Sequence, residues 1–97
     1  MIRHIVLLTL KADAPPGSAE TIVEALRGLV GVIPSIREYQ TGVDVGIAPG
    51  NATVAATAVF DDEAGYLEYR DHPAHQAVIE KYIKPVREGR AAIQFKI

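Results

Sequence analysis

Residues 2–11 are apolar on both faces of a strand, and this constrains the fold more than any other feature of the chain. Ile2, His4, Val6, Leu8 and Leu10 fall on one face; Arg3, Ile5, Leu7, Thr9 and Lys11 fall on the other. A strand apolar on both sides has to be covered on both sides. The chain has 97 residues, enough for a single domain over residues 1–97. A chain of this size buries about two-thirds of its unfolded surface, which is one modest core. Hydrophobic residues make up 48% of it, so it has the material for a packed globule.

The rest of the chain supplies cover for only one of those faces. Pro15-Pro16-Gly17-Ser18 breaks the first strand, with Ser18 as the expected N-cap of a helix and Glu20 in its first turn. Ile22, Val23, Leu26, Leu29, Val30 and Ile33 recur at helical spacing until Gly31 and Pro34 end the helix. A second strand is expected over 35–43, with Ile36 and Tyr39 on opposite faces, and a loop rich in turn formers over 44–51. A third strand is expected over 53–60, where Ala55, Ala56 and Ala58 leave room on both faces. Asp61 and Asp62 start a helical stretch through Tyr66, Leu67 and Tyr69. Pro73 favours a first helical position, so a new helix starts there with His72 near its N-cap and Val78, Ile79, Tyr82, Ile83 and Val86 as its buried stripe. Gly89 separates that helix from a last strand over 90–97, where Ala91, Ile93, Phe95 and Ile97 share a face.

The order βαββαβ predicts an α+β fold, a ferredoxin-like antiparallel sheet with helices on one face. The other sheet face then lacks cover within the chain. A second copy packed sheet to sheet, a homodimer closing an α/β barrel, is the expected answer.

Several function classes are disfavoured. The net charge is −2 with no basic run, so nucleic acid is not an expected partner. No cysteine is present, which removes disulfides and thiolate catalysis. The longest apolar runs fall far short of the roughly 20 residues that span a bilayer, so no membrane role is expected. The first residues read into a strand rather than a leader, and the expected location is cytoplasmic. Gly46 to Gly50 lacks the Lys-Ser or Lys-Thr of a phosphate loop, and no serine sits in a nucleophile elbow. His4 and His75 have no carboxylate at ligand spacing, so neither a metal nor an organic cofactor is expected.

The candidate residues are histidines and tyrosines. His75 falls on the inward stripe of the helix that Pro73 opens. Burial and the positive end of the helix dipole both disfavour its imidazolium, and a neutral imidazole is what a general base requires. The plain alternative is a core histidine bonded to a backbone group. His4, on the face of Val6 and Leu8, is either a pocket residue or a strand-to-helix hydrogen bond that steadies the fold. His72 is either a cap or a residue at the pocket mouth. Tyr66, Tyr69 and Tyr82 offer hydroxyls to a pocket or are amphipathic packing residues, with Tyr82 read more readily as core. A tyrosine hydroxyl can donate to a developing enolate oxygen. Lys81, Lys84, Arg87 and Arg90 form a solvated face by default, with some of them placed to attract an anion at a pocket mouth.

The opening Met1-Ile2-Arg3-His4-Ile5-Val6-Leu7-Leu8, the Ile33-Pro34-Ser35-Ile36 turn, Phe60-Asp61-Asp62 and the run Tyr69-Arg70-Asp71-His72-Pro73-Ala74-His75-Gln76 resemble the Dabb family, the stress-responsive dimeric α/β-barrel domain. The resemblance spans essentially the whole chain and implies a homodimer whose sheets form a barrel. The Tyr-x-x-His-Pro-Ala-His segment and the strand-one histidine are also similar to plant polyketide cyclases of the olivetolic acid type, which perform an aldol cyclisation without a cofactor. Carried over through that segment, the resemblance implies Tyr69 and His75 as catalytic residues and His4 as a pocket residue. Those enzymes have a further pocket histidine on the third strand, where this chain has Val54. The expected function is therefore a cofactor-independent cyclase, isomerase or lyase. It would abstract a proton next to a carbonyl of a polyketide-like or aromatic acid, with His75 and Tyr69 catalytic and His4, His72, Tyr66 and Tyr82 around the substrate. The competing expectation is a stress-responsive protein that holds a small apolar or aromatic ligand without turnover.

Overall fold

The computed structural model describes residues 1–97, and the alternating segments become four strands. These are β1 (Ile2–Leu10), β2 (Glu38–Val43), β3 (Val54–Phe60) and β4 (Arg87–Lys96). All neighbours are antiparallel, in the order β2-β3-β1-β4. Between them run α1 (Ser18–Arg27), α2 (Glu63–Asp71) and α3 (Pro73–Val78), the last extended by a wide π turn over Ile79–Ile83. The arrangement is ferredoxin-like, as the element order predicts. No helix is long and apolar enough to cross a membrane.

The two faces of β1 meet different surroundings. On the helix side, His4 and Leu8 are buried, and their β3 rung partners Ala58 and Val54 are buried with them. This layer packs on Ile22, Val23 and Leu26 of α1, Tyr69 of α2 and Val78 of α3 to make one core. The small alanines of β3 let the helices approach the sheet closely. On the opposite face, Ile5 pairs with Ile93, Leu7 with Ala91 and Arg3 with Phe95. Leu7, Ile93 and Phe95 are 41%, 57% and 42% exposed there, an apolar surface with no helix over it.

Four local expectations are corrected. The N-cap of α1 is Gly17, whose φ of 86° lies in the left-handed region; Ser18 is the first helical residue, and its hydroxyl donates to the Pro15 carbonyl at 2.6 Å. The helix ends at Arg27, not Ile33. Leu29 and Val30 bond to Leu26 and Arg27, so tight turns replace the helix while Leu29 and Ile33 remain buried. Ile36 precedes β2 and packs on the same core as Tyr39, so the two do not face opposite ways. Gly89 lies inside β4, which begins at Arg87 and carries a register shift opposite Thr9 and Leu10.

Candidate functional site

The site is built on a break between two helices. Asp62 caps α2 by accepting from the Gly65 amide at 2.9 Å. The helix then meets Pro73, which has no N–H for the Tyr69 carbonyl, so that carbonyl accepts from the His72 amide instead. His72 caps α3: its Nδ1 accepts from the Ala74 amide at 3.1 Å. This diverts the amide that would have continued α2, and the Arg70 carbonyl loses its helical partner. Two side chains replace it. The Gln76 amide donates to this carbonyl at 2.6 Å, and His75 Nδ1–H donates at 3.1 Å. The proton of His75 is thus held on Nδ1, and Nε2 carries the lone pair with no partner in the protein.

The His75 ring lies on Tyr69, with centroids 4.2 Å apart and planes 28° from parallel. Tyr69 is buried, and its hydroxyl is 2.9 Å from that of Tyr39 on β2. When Tyr39 donates across this contact, the Tyr69 hydroxyl is left to donate elsewhere. Burial, together with Tyr39, holds the Tyr69 phenol protonated far above the usual tyrosine range. His4 closes the group from the sheet, its ring 5.1 Å from Tyr66 and 6.1 Å from Tyr69. The side-chain amide of Gln94, directly opposite on β4, donates to His4 Nδ1 at 2.8 Å, which places the His4 proton on Nε2. The bond runs from strand to strand, where the sequence suggested strand to helix.

His4, Tyr66, Tyr69 and His75 line one cavity of about 130 Å³, walled on its apolar side by Val6, Leu8, Leu26, Ile79 and Ile83. A dry cavity of roughly 150 Å³ holds one benzene ring, so this space suits a ligand of about that size. The π turn brings Ile79 and Ile83 into the wall together. His72 and Tyr82 do not join the cavity lining. His72 is committed to its cap, and Tyr82 lies over α1 beside Glu20 and Glu24 with the Lys81 ammonium 5.1 Å from its ring centre. Gln76, Arg70, Arg87 and Arg90 do line the cavity, and no spacing rule in the sequence singled them out as a group. A larger depression of about 430 Å³ lies on the bare sheet face by Leu7 and Val43, but Asp44 is its one titratable group. No three His, Cys, Asp or Glu side chains converge as metal ligands.

Both histidines are held neutral. Burial above all, then Arg90 and His75, lower His4 from its ordinary 6.5 to about 4. Burial also lowers His75, against the opposing bonds to the Arg70 and Tyr69 carbonyls. The unfolded chain therefore takes up a proton at His4 as the pH drops below 6.5, while the folded protein refuses it until about 4. Stability is fully present above that window and falls through it, by up to about 3 kcal/mol from His4. Chemical unfolding at fixed protein concentration is expected to show this loss and His4→Gln to flatten it. A wild-type curve flat across the window would refute the assignment.

Comparisons with known proteins agree with the fold. An uncharacterised protein of Streptomyces coelicolor is 33% identical over 79 residues, covering 79% of this chain and 81% of that one. A dimeric ferredoxin-like protein of unknown function from Thermobifida fusca is 38% identical, with a TM-score of 0.89 over 99% of this chain and 90% of that one. The hydroxynitrile lyase of Passiflora edulis shares the fold at 21% identity, with a TM-score of 0.82 over 99% of this chain and 92% of that one. The stress responsive A/B barrel domain model matches residues 2–97, and the chain belongs to that family.

Proposed function

We propose that the protein is a cofactor-independent lyase, isomerase or cyclase that removes a proton next to a carbonyl group of a small aromatic or polyketide-like acid. One observation carries this reading: His75, which lines a cavity together with Tyr69, has its proton fixed on Nδ1 by the Arg70 carbonyl and its Nε2 left without a partner. Nε2 takes the α-proton, and the electron pair of that C–H bond moves into the enolate. The Tyr69 hydroxyl donates to the enolate oxygen while Tyr39 donates to Tyr69. The proton returns from His75 to carbon or to a leaving oxygen, so nothing is oxidised and no co-reactant is consumed. The Passiflora edulis protein of the same fold is a hydroxynitrile lyase, so a fold of this kind can carry a lyase.

The competing reading is a non-catalytic holder of a small ligand, favoured by the wall of Val6, Leu8, Leu26, Ile79 and Ile83. Solvent deuterium incorporation separates the two. With a panel of one-ring β-keto acids and aryl ketones, NMR is expected to show exchange at the α-carbon faster than in buffer. Ligands that bind with no acceleration for any panel member would leave the holder as the function.

A further inference from the structure

Arg87 and Arg90 stand three residues apart on β4, a spacing that puts side chains on opposite faces of a regular strand. Here they share a face. Leu8 pairs with Arg90, Thr9 with Gly89 and Leu10 with Arg87, so Glu88 is the extra residue of a β-bulge with no partner on β1. The bulge switches the alternation, and both arginines come to the helix side, where both line the cavity of His4 and His75. Bulges re-aim side chains in this way, often beside active sites.

Neither arginine is paired within the chain. The ion pairs are Arg3–Glu38, Arg37–Asp61, Arg70–Asp71 and Lys84–Glu80. Arg70 also reaches the cavity, but Asp71 holds its guanidinium with bonds of 2.8 and 3.1 Å. Two cations without a counter-charge beside two neutral histidines form an arrangement that an anion relieves. A guanidinium matches a carboxylate with two parallel hydrogen bonds. The cavity as a whole, about 130 Å³, has room for about one aromatic ring.

We propose that Arg87 and Arg90 form a carboxylate-binding subsite, so that the cavity takes a small aromatic or short-chain carboxylate with its acid group on β4 and its other end against His4, Tyr66, Tyr69 and His75. The inference uses the same cavity as the proposed function and specifies the charge of its ligand; it holds for a non-catalytic binder as well as for an enzyme. A bound carboxylate would point its carbon skeleton away from the arginines and toward the His75 imidazole.

The test uses the full chain and two isosteric probes, benzoate and neutral benzamide, titrated at low salt while the imidazole resonances of His4 and His75 are followed by NMR. Benzoate is expected to bind at least about tenfold more tightly, the effect of one charge-assisted contact. The Arg87→Gln/Arg90→Gln variant is expected to lose that preference while keeping its circular dichroism spectrum. Equal binding of the two probes, a preference that survives in the double variant, or no shift of either histidine with either probe would overturn the subsite. Benzamide binding at these histidines as tightly as benzoate, with deuterium exchange intact, would overturn the subsite alone and leave the proposed function standing. Benzoate preference with no exchange on any substrate would do the reverse.

Discussion

Replacing His75 with alanine is expected to lower turnover on an exchange-active substrate by about 10²–10⁴-fold, the usual contribution of a positioned general base. The structure gives the reason for so large an effect. The imidazole has one tautomer, because the Arg70 carbonyl that accepts from Nδ1 was freed by the break at Pro73. Its ring is fixed by the stack on Tyr69. No other group at the cavity offers a comparable base, since His4 has its Nδ1 occupied by Gln94 and its proton on Nε2. Tyr69→Phe is expected to cost less than the loss of His75, because the hydroxyl only stabilises the enolate oxygen while the imidazole still takes the proton. The pH profile carries a further signature. Burial lowers the His75 pKa, so the rate is expected to hold its plateau below pH 6.5 and fall only at more acidic values. His75→Ala turning over like the wild type would end the general-base assignment, even if the variant still bound benzoate.

The strands and helices were legible because their apolar residues repeat at 2 or about 3.6 positions, and local chemistry marked their ends. Pro73 and His72 illustrate this, since a proline at a first helical position and a side chain able to accept from the next turn are both visible in one short run. The burial of His4 also followed from alternation along β1. What could not be read depends on pairings between distant segments. Tyr39 meets Tyr69 across 30 residues of sequence, and Gln94 meets His4 across 90. The bulge at Glu88 exists only relative to Thr9 and Leu10, so the arginine pair has no signature in the order of residues on β4. Gly89 looked like a boundary because glycine is usually punctuation between elements. In this sheet it is a strand residue beside the bulge, paired with Thr9. The end of α1 was misplaced for a related reason: tight turns after Gly28 keep Leu29 and Ile33 at buried positions, so the hydrophobic spacing outlasts the helix that it normally reports.

The bare sheet face yields the other large expected effect: Ile93→Asp is expected to convert a dimer into a folded monomer. Ile5, Leu7, Ala91, Ile93 and Phe95 lie together on this face, and every helix of the chain packs on the other. An exposed apolar surface of this kind is unusual for a protein that stays alone in water. The similar Thermobifida fusca protein is described as dimeric, which is consistent with this surface being shared by two copies. Fully burying an isoleucine side chain is worth about 1.5–3 kcal/mol. Ile93 is 57% exposed in the single chain, so an interface can bury about half of that amount per copy, and a two-fold interface contains each residue twice. The dissociation constant is expected to rise by at least about 10–10²-fold, with the cost of desolvating two carboxylates added to that. The core should survive, because Ile93 is 57% exposed in the single chain and contributes nothing to the packing around Phe60 and Tyr69. Sedimentation at micromolar concentration, with circular dichroism as the folding control, measures both outcomes. Ala64→Asp, which places the same charge on the exposed start of α2, is expected to leave the dimer intact. A wild-type chain that sediments only as a monomer, or an Ile93→Asp variant that remains a dimer, would show that the sheet face is not the interface.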